Sequence, residues 1–61
     1  MHFNKDGIKG ELELTYYGYE FSYTGDEGIL IKEVRRVLKR YGYYLRDFIP
    51  ERGVYTVYKI Q

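Results

Sequence analysis

The chain has no cysteine, no tryptophan, one histidine and one serine, and it contains no run of about 18 apolar residues. Each absence removes a class of explanation. Without cysteine, neither a disulfide nor a thiolate metal site can form. The histidine, His2, stands near a terminus expected to fray. Ser22 has no organising base beside it in the sequence, so the usual nucleophile pairings are missing. Without a long apolar run there is no transmembrane helix, and the opening residues Met1–Gly7 hold no apolar stretch resembling a signal peptide. A soluble domain is the expectation, and the lack of cysteine fits a cytoplasmic location.

Phosphate-binding and metal-binding motifs are equally scarce. Gly25-Asp26-Glu27-Gly28 matches neither the Walker nor the dinucleotide pattern. Glu11 and Glu13 share one face of an alternating segment, but two carboxylates without His or Cys make a poor metal site. Glu13 and Glu20 could be imagined as a catalytic pair, yet glutamates on the polar side of a hairpin are ordinarily solvated. Helix-turn-helix, zinc-finger, RNP and KH signatures are absent. The chain therefore reads as non-catalytic, with no cofactor and no metal.

What is present is aromatic and charged. Sixty-one residues predict one domain, and a chain this short buries only about 60% of the surface it exposes when unfolded. Such domains lean on disulfides, metals, partner chains or dense packing; here self-association or aromatic packing remains. Nine Tyr and three Phe supply the rings, and tyrosine can keep its hydroxyl in water while its ring packs.

Residues 1–10 are polar and carry Gly7 and Gly10, which predicts a loose lead-in anchored by Phe3 and Ile8. Residues 11–24 then alternate. Leu12, Leu14, Tyr16, Tyr19, Phe21 and Tyr23 fall on one side, and Glu11, Glu13, Thr15, Glu20, Ser22 and Thr24 on the other, the mark of half-buried strands. A two-residue loop at Tyr17-Gly18 predicts the pairs Tyr16–Tyr19, Leu14–Phe21 and Leu12–Tyr23. Thr24-Gly25-Asp26-Glu27 reads as a helix start, with Asp26 as cap or Thr24 and Glu27 as a capping box. Leu30, Val34, Val37, Leu38 and Tyr41 recur at spacings of three and four, so a helix is expected over 27–41, ended by a left-handed cap at Gly42.

A second hairpin is expected at 43–49 and 54–60 around Pro50-Glu51-Arg52-Gly53. Its faces are mixed. Tyr43, Leu45, Asp47, Ile49, Val54, Thr56, Tyr58 and Ile60 are assigned to the core, because Tyr43 should close against Leu38 after the Gly42 cap. Tyr44, Arg46, Phe48, Tyr55, Val57 and Lys59 then face outward. Asp47, a carboxylate on the inward side, is expected to meet Thr56 across the strands or to mark a bulge. The predicted architecture is α+β, ββαββ: a mainly antiparallel four-stranded sheet with one helix packed on one face.

Net charge is only +1, yet residues 1–28 carry −4 and residues 29–61 carry +5. Such asymmetry between halves points to an interaction surface. Lys32, Arg35, Arg36, Lys39 and Arg40 follow i, i+3, i+4, i+7, i+8 spacing, centred opposite the apolar stripe. Such a face is often no more than a solvated one favoured by the helix dipole. The shortage of acidic residues beside it favours a ligand: the phosphates of a nucleic acid or an acidic protein surface. Tyr44, Arg46, Phe48, Tyr55 and Lys59 interleave aromatics with cations, the composition of a base-stacking platform or of a homodimer interface. The acidic face of Glu11, Glu13 and Glu20 could meet the basic surface of a second copy. A binding module is the functional expectation.

Overall fold

Lys5-Asp6-Gly7-Ile8 is the first element the computed structural model settles; it describes residues 1–60. Asp6 (φ 52°) and Gly7 (φ 84°) both take positive φ, as the centre of a two-residue type I′ hairpin turn requires. The turn joins β1 (His2–Lys5) to β2 (Ile8–Thr15), with Phe3 opposite Gly10 and His2 opposite Glu11. Residues 1–10 are therefore not a loose lead-in, and the sheet has five strands rather than four. Phe3 and Ile8 are both buried in the core.

The next turn joins β2 to β3 (Gly18–Tyr23) through Tyr16-Tyr17. The observed pairs are Leu12–Phe21, Leu14–Tyr19 and Thr15–Gly18, two positions away from the expected register. Thr15 closes this turn: its hydroxyl donates to the Gly18 carbonyl (2.9 Å) and accepts from the Tyr17 N–H (3.1 Å). The positive φ of Gly18 therefore falls just after the turn instead of inside it. A shift of two preserves the faces, so Leu12 and Phe21 still point inward.

Asp26 does not start a helix. Its carboxylate accepts the Gly28 N–H (2.8 Å), and its carbonyl accepts from Ile29 (3.2 Å) and from the Tyr23 hydroxyl (2.7 Å). This local turn competes with helix formation, and α1 runs over Ile31–Arg40 rather than 27–41, with Leu30 as N-cap and no side-chain cap. At the other end Gly42 takes the left-handed conformation (φ 97°) and donates to the Lys39 carbonyl (3.1 Å).

Strands β4 (Tyr43–Ile49) and β5 (Val54–Lys59) complete an antiparallel sheet of order β1-β2-β3-β5-β4. The helix connection carries the chain to the far edge, and β5 then returns beside β3, with Tyr19 opposite Val57 and Phe21 opposite Tyr55. The molecule is a small α+β domain in which one helix lies on one face of the sheet. Val34, Val37 and Leu38 from α1 close over Phe3, Ile8, Leu12, Phe21, Leu45 and Val57. Full burial of each such side chain contributes about 1.5–3 kcal/mol. Phe3 sets its ring edge-on to Phe21 (5.7 Å) and to Tyr41 (6.0 Å), arrangements worth about 0.5–1.5 kcal/mol beyond burial.

A bulge between Leu45 and Phe48 reverses the alternation of β4. Before it, Tyr44 pairs with Tyr58 and Leu45 with Val57; after it, Phe48 pairs with Tyr55. Arg46 and Asp47 together stand against the single residue Thr56, one residue more than the partner strand supplies. The Asp47 N–H donates to the Thr56 hydroxyl (3.1 Å), so the main chain of Asp47, not its carboxylate, holds the bulge. The expected faces beyond the bulge are thereby inverted: Phe48, Tyr55, Val57 and Lys59 lie on the helix side, and Ile49, Val54, Thr56 and Tyr58 on the opposite side. Val57 is buried, whereas Tyr58 is 55% exposed.

Candidate functional site

With Val34, Val37 and Leu38 against the sheet, α1 turns Lys32, Arg36, Lys39 and Arg40 fully outward, and Arg35 sits half-buried at the flank. All five predicted cations lie on this helix, but they are held differently. Arg35 donates from Nε to the Leu45 carbonyl (3.2 Å). The Gly42 carbonyl accepts from Ile60, and Tyr44 pairs with Tyr58. Alternate residues such as Leu45 therefore turn their backbone groups to the open edge of β4. Arg35 covers part of that edge, which links the helix to the strand beneath it.

Arg36 is paired with Glu33, one turn earlier on the helix. The hydrogen bond from Arg36 holds the Glu33 carboxyl below its usual range, with the positive charge of Arg36 adding to the effect. Arg40 donates to Asp6 (2.9 Å) in the β1–β2 turn, and the Tyr41 hydroxyl donates to the same carboxylate (3.3 Å). Lys32 and Lys39 make no ion pair among the described residues. They lie seven residues apart, about 10.5 Å along the axis, within a cationic ridge that runs from Lys32 to Arg40.

The second predicted surface is not one face. Tyr44 and Arg46 lie on the side away from the helix, whereas beyond the bulge Phe48 and Tyr55 stand together on the helix side with their rings 4.8 Å apart. Lys59 lies opposite Tyr43, on that same helix side. The aromatic-basic group that does assemble is Tyr44, Tyr58 and Arg46, with the Arg46 guanidinium 4.1 Å from the centre of the Tyr58 ring. Alternation could not place Tyr58 there, because the bulge interrupts it; the adjacent charges Arg46-Asp47 in an otherwise apolar strand were the available signal.

The acidic face is largely matched by cations. Glu20, 5% exposed and opposite Glu13 in the sheet, receives both terminal nitrogens of Arg52 (2.6 and 2.7 Å). The Met1 ammonium donates to Glu13 (2.8 Å), which lowers the Glu13 carboxyl and raises the amine. Glu11 meets His2. A shallow hollow of about 530 Å³ beside this corner is lined by His2, Asn4, Lys9, Glu11 and Thr24 among others. Among the described residues, no three metal-ligating side chains gather anywhere, and no helix is long and apolar enough to cross a membrane.

Comparison with protein-family models, with curated proteins and with solved structures returns no match. The surface itself carries the functional argument.

Proposed function

We propose that this domain is a non-catalytic binding module that docks on the phosphate backbone of a nucleic acid through the outward face of α1. The observation that carries the reading is the composition of that face. Lys32, Arg35, Arg36, Lys39 and Arg40 crowd ten residues of helix whose sole acidic member is Glu33. The two partners that hold Arg36 and Arg40 are themselves partly exposed, Glu33 at 47% and Asp6 at 35%. Exposed pairs of this kind are worth about 0–1 kcal/mol, so a phosphate can take the carboxylate's place at little cost. A cytoplasmic site of action goes with this ligand and with a chain that has no cysteine to oxidise.

The outward face offers only Lys, Arg and Glu, so its contacts fall on phosphates rather than on base edges, and binding is largely independent of base sequence. Anisotropy titration of labelled mixed-sequence oligonucleotides, single- and double-stranded, tests the reading. Binding is expected at ~50 mM salt and should weaken steeply as salt rises, with a slope of roughly −0.9 per phosphate neutralised on duplex DNA. Lys32→Glu with Lys39→Glu should abolish it. Absence of binding at low salt sinks the proposal.

A second reading rests on a different observation, the exposed Tyr44–Tyr58 pair with Arg46 over it on the opposite side of the sheet. Aromatic patches of this kind commonly form contacts, and here the partner would be a second copy. It predicts a melting temperature that rises with protein concentration; a concentration-independent melt with a monomer mass excludes it.

A further inference from the structure

Arg36 lies mid-ridge and Arg40 is the last residue of α1, and each is already occupied by a carboxylate of its own chain. The two carboxylates come from different places. Glu33 is one turn upstream on the helix, whereas Asp6 is 34 residues away in the β1–β2 turn. Asp6 occupies a positive-φ position (52°) that Asn would fill as well or better in a type I′ turn. Turn geometry therefore explains a small polar residue there, but not a negative charge. The charge meets Arg40, and Tyr41 donates a second hydrogen bond to the same group. Among the described residues, Lys32 and Lys39, in the first and last turns of the helix, have no such partner.

We infer that Asp6 and Glu33 are selectivity residues: they occupy Arg36 and Arg40 so that the ridge accepts a chain of phosphates and rejects single anions. The inference rests on the phosphate-binding reading of α1. A tethered carboxylate faces its arginine at an effective concentration in the millimolar range or above. A free phosphate or carboxylate at ordinary concentration cannot compete with it. A polynucleotide held first at Lys32 and Lys39 brings its neighbouring phosphates to Arg36 and Arg40 at a comparable effective concentration. The arginines then exchange one exposed ion pair for another of similar strength. The released carboxylates remain in water, where both are already partly exposed.

The test compares Asp6→Asn, Glu33→Gln and their double variant with Glu51→Gln, which makes the same change in net charge in the β4–β5 turn. The probe is a mixed-sequence duplex of ~20 base pairs at ~50 mM salt, with inorganic phosphate as the single-anion probe. Asp6→Asn and Glu33→Gln should each tighten duplex binding about threefold, and Glu51→Gln should change it far less. In parallel, the side-chain Nε–H resonances of Arg36 and Arg40 report occupancy. In the wild-type chain they should move with duplex and stay still with ~10 mM phosphate; in the double variant they should move with phosphate as well. If the wild type binds duplex but the two variants match Glu51→Gln, or if phosphate alone moves the wild-type arginines, the selectivity role is overturned while the ridge stands. If the wild type fails to bind duplex at all, the ridge itself falls, and the selectivity role with it. Asn is at home in the turn, and thermal melts of each variant confirm that the fold is intact before binding is read.

Discussion

Gly10 lies between β1 and β3, opposite Phe3 on one side and Tyr23 on the other. A side chain there has nowhere to go. A Cβ would stand 2.5 Å from Phe21 Cζ and 2.7 Å from Phe21 Cε1, and would press against the Ser22 carbonyl oxygen. Phe21 is fully buried, so its ring cannot swing aside without opening the core. Gly10 thus acts as the floor on which Phe21 packs, an arrangement in which a ring covers a strand glycine. Gly10→Ala should destabilise the domain by about 1–3 kcal/mol, the usual range for overpacking a core, read as a lower urea midpoint. An unchanged midpoint would show that Phe21 has room the structure does not give it.

On the helix, the exposed pair Glu33–Arg36 gives a titration that can be predicted in sign. Pairing lowers the folded-state value of Glu33, chiefly through the hydrogen bond from Arg36. A carboxyl lowered in this way contributes stability above its unfolded value, and that contribution is lost as pH falls through the folded one. A carbon-detected titration of Glu33 should therefore give a midpoint below that of an unpaired glutamate, and Arg36→Gln should restore it. The periodicity that placed the five cations opposite Val34, Val37 and Leu38 was readable because a helix repeats over short distances. Its start was not, since Asp26 spends its carboxylate on Gly28 instead of on a helix end. Two features of the strands were harder still. The Asp6-Gly7 turn was readable in principle, because Asp-Gly between β-forming residues is a strong hairpin signal, but the flanking polar residues hid β1. The bulge at Arg46-Asp47 was not readable by alternation at all, because one inserted step reverses every face beyond it. For that reason Phe48 and Tyr55 left the predicted outer surface, and Tyr58 entered it.

Across the whole molecule, the charge asymmetry between the two halves of the sequence takes on a structural meaning. Strand order brings β5 beside β3, and the β4–β5 turn lays Arg52 from the basic half over Glu20 from the acidic half. The end of α1 lays Arg40 over Asp6 in the same sense. A chain without disulfides thus ties its halves together with two ion pairs more than thirty residues apart in sequence, and no local pattern could reveal them. Burial decides their relative worth. Removing Arg52 leaves Glu20 nearly buried and without its charge partner, which costs about 1–3 kcal/mol. The Arg40–Asp6 pair is open to water on both sides and should contribute under ~1 kcal/mol. Arg52→Ala should therefore lower the urea midpoint markedly, and Arg40→Ala only slightly. The double variant should show nearly the sum of the two, since the pairs share no residue. The ranking separates the two roles of the positive charge: Arg52 is committed to the fold, whereas Arg40 remains available to a ligand. Equal losses at the two positions would mean that Arg40 is structural as well, and the ridge would then keep only its two lysines and Arg36 for phosphate.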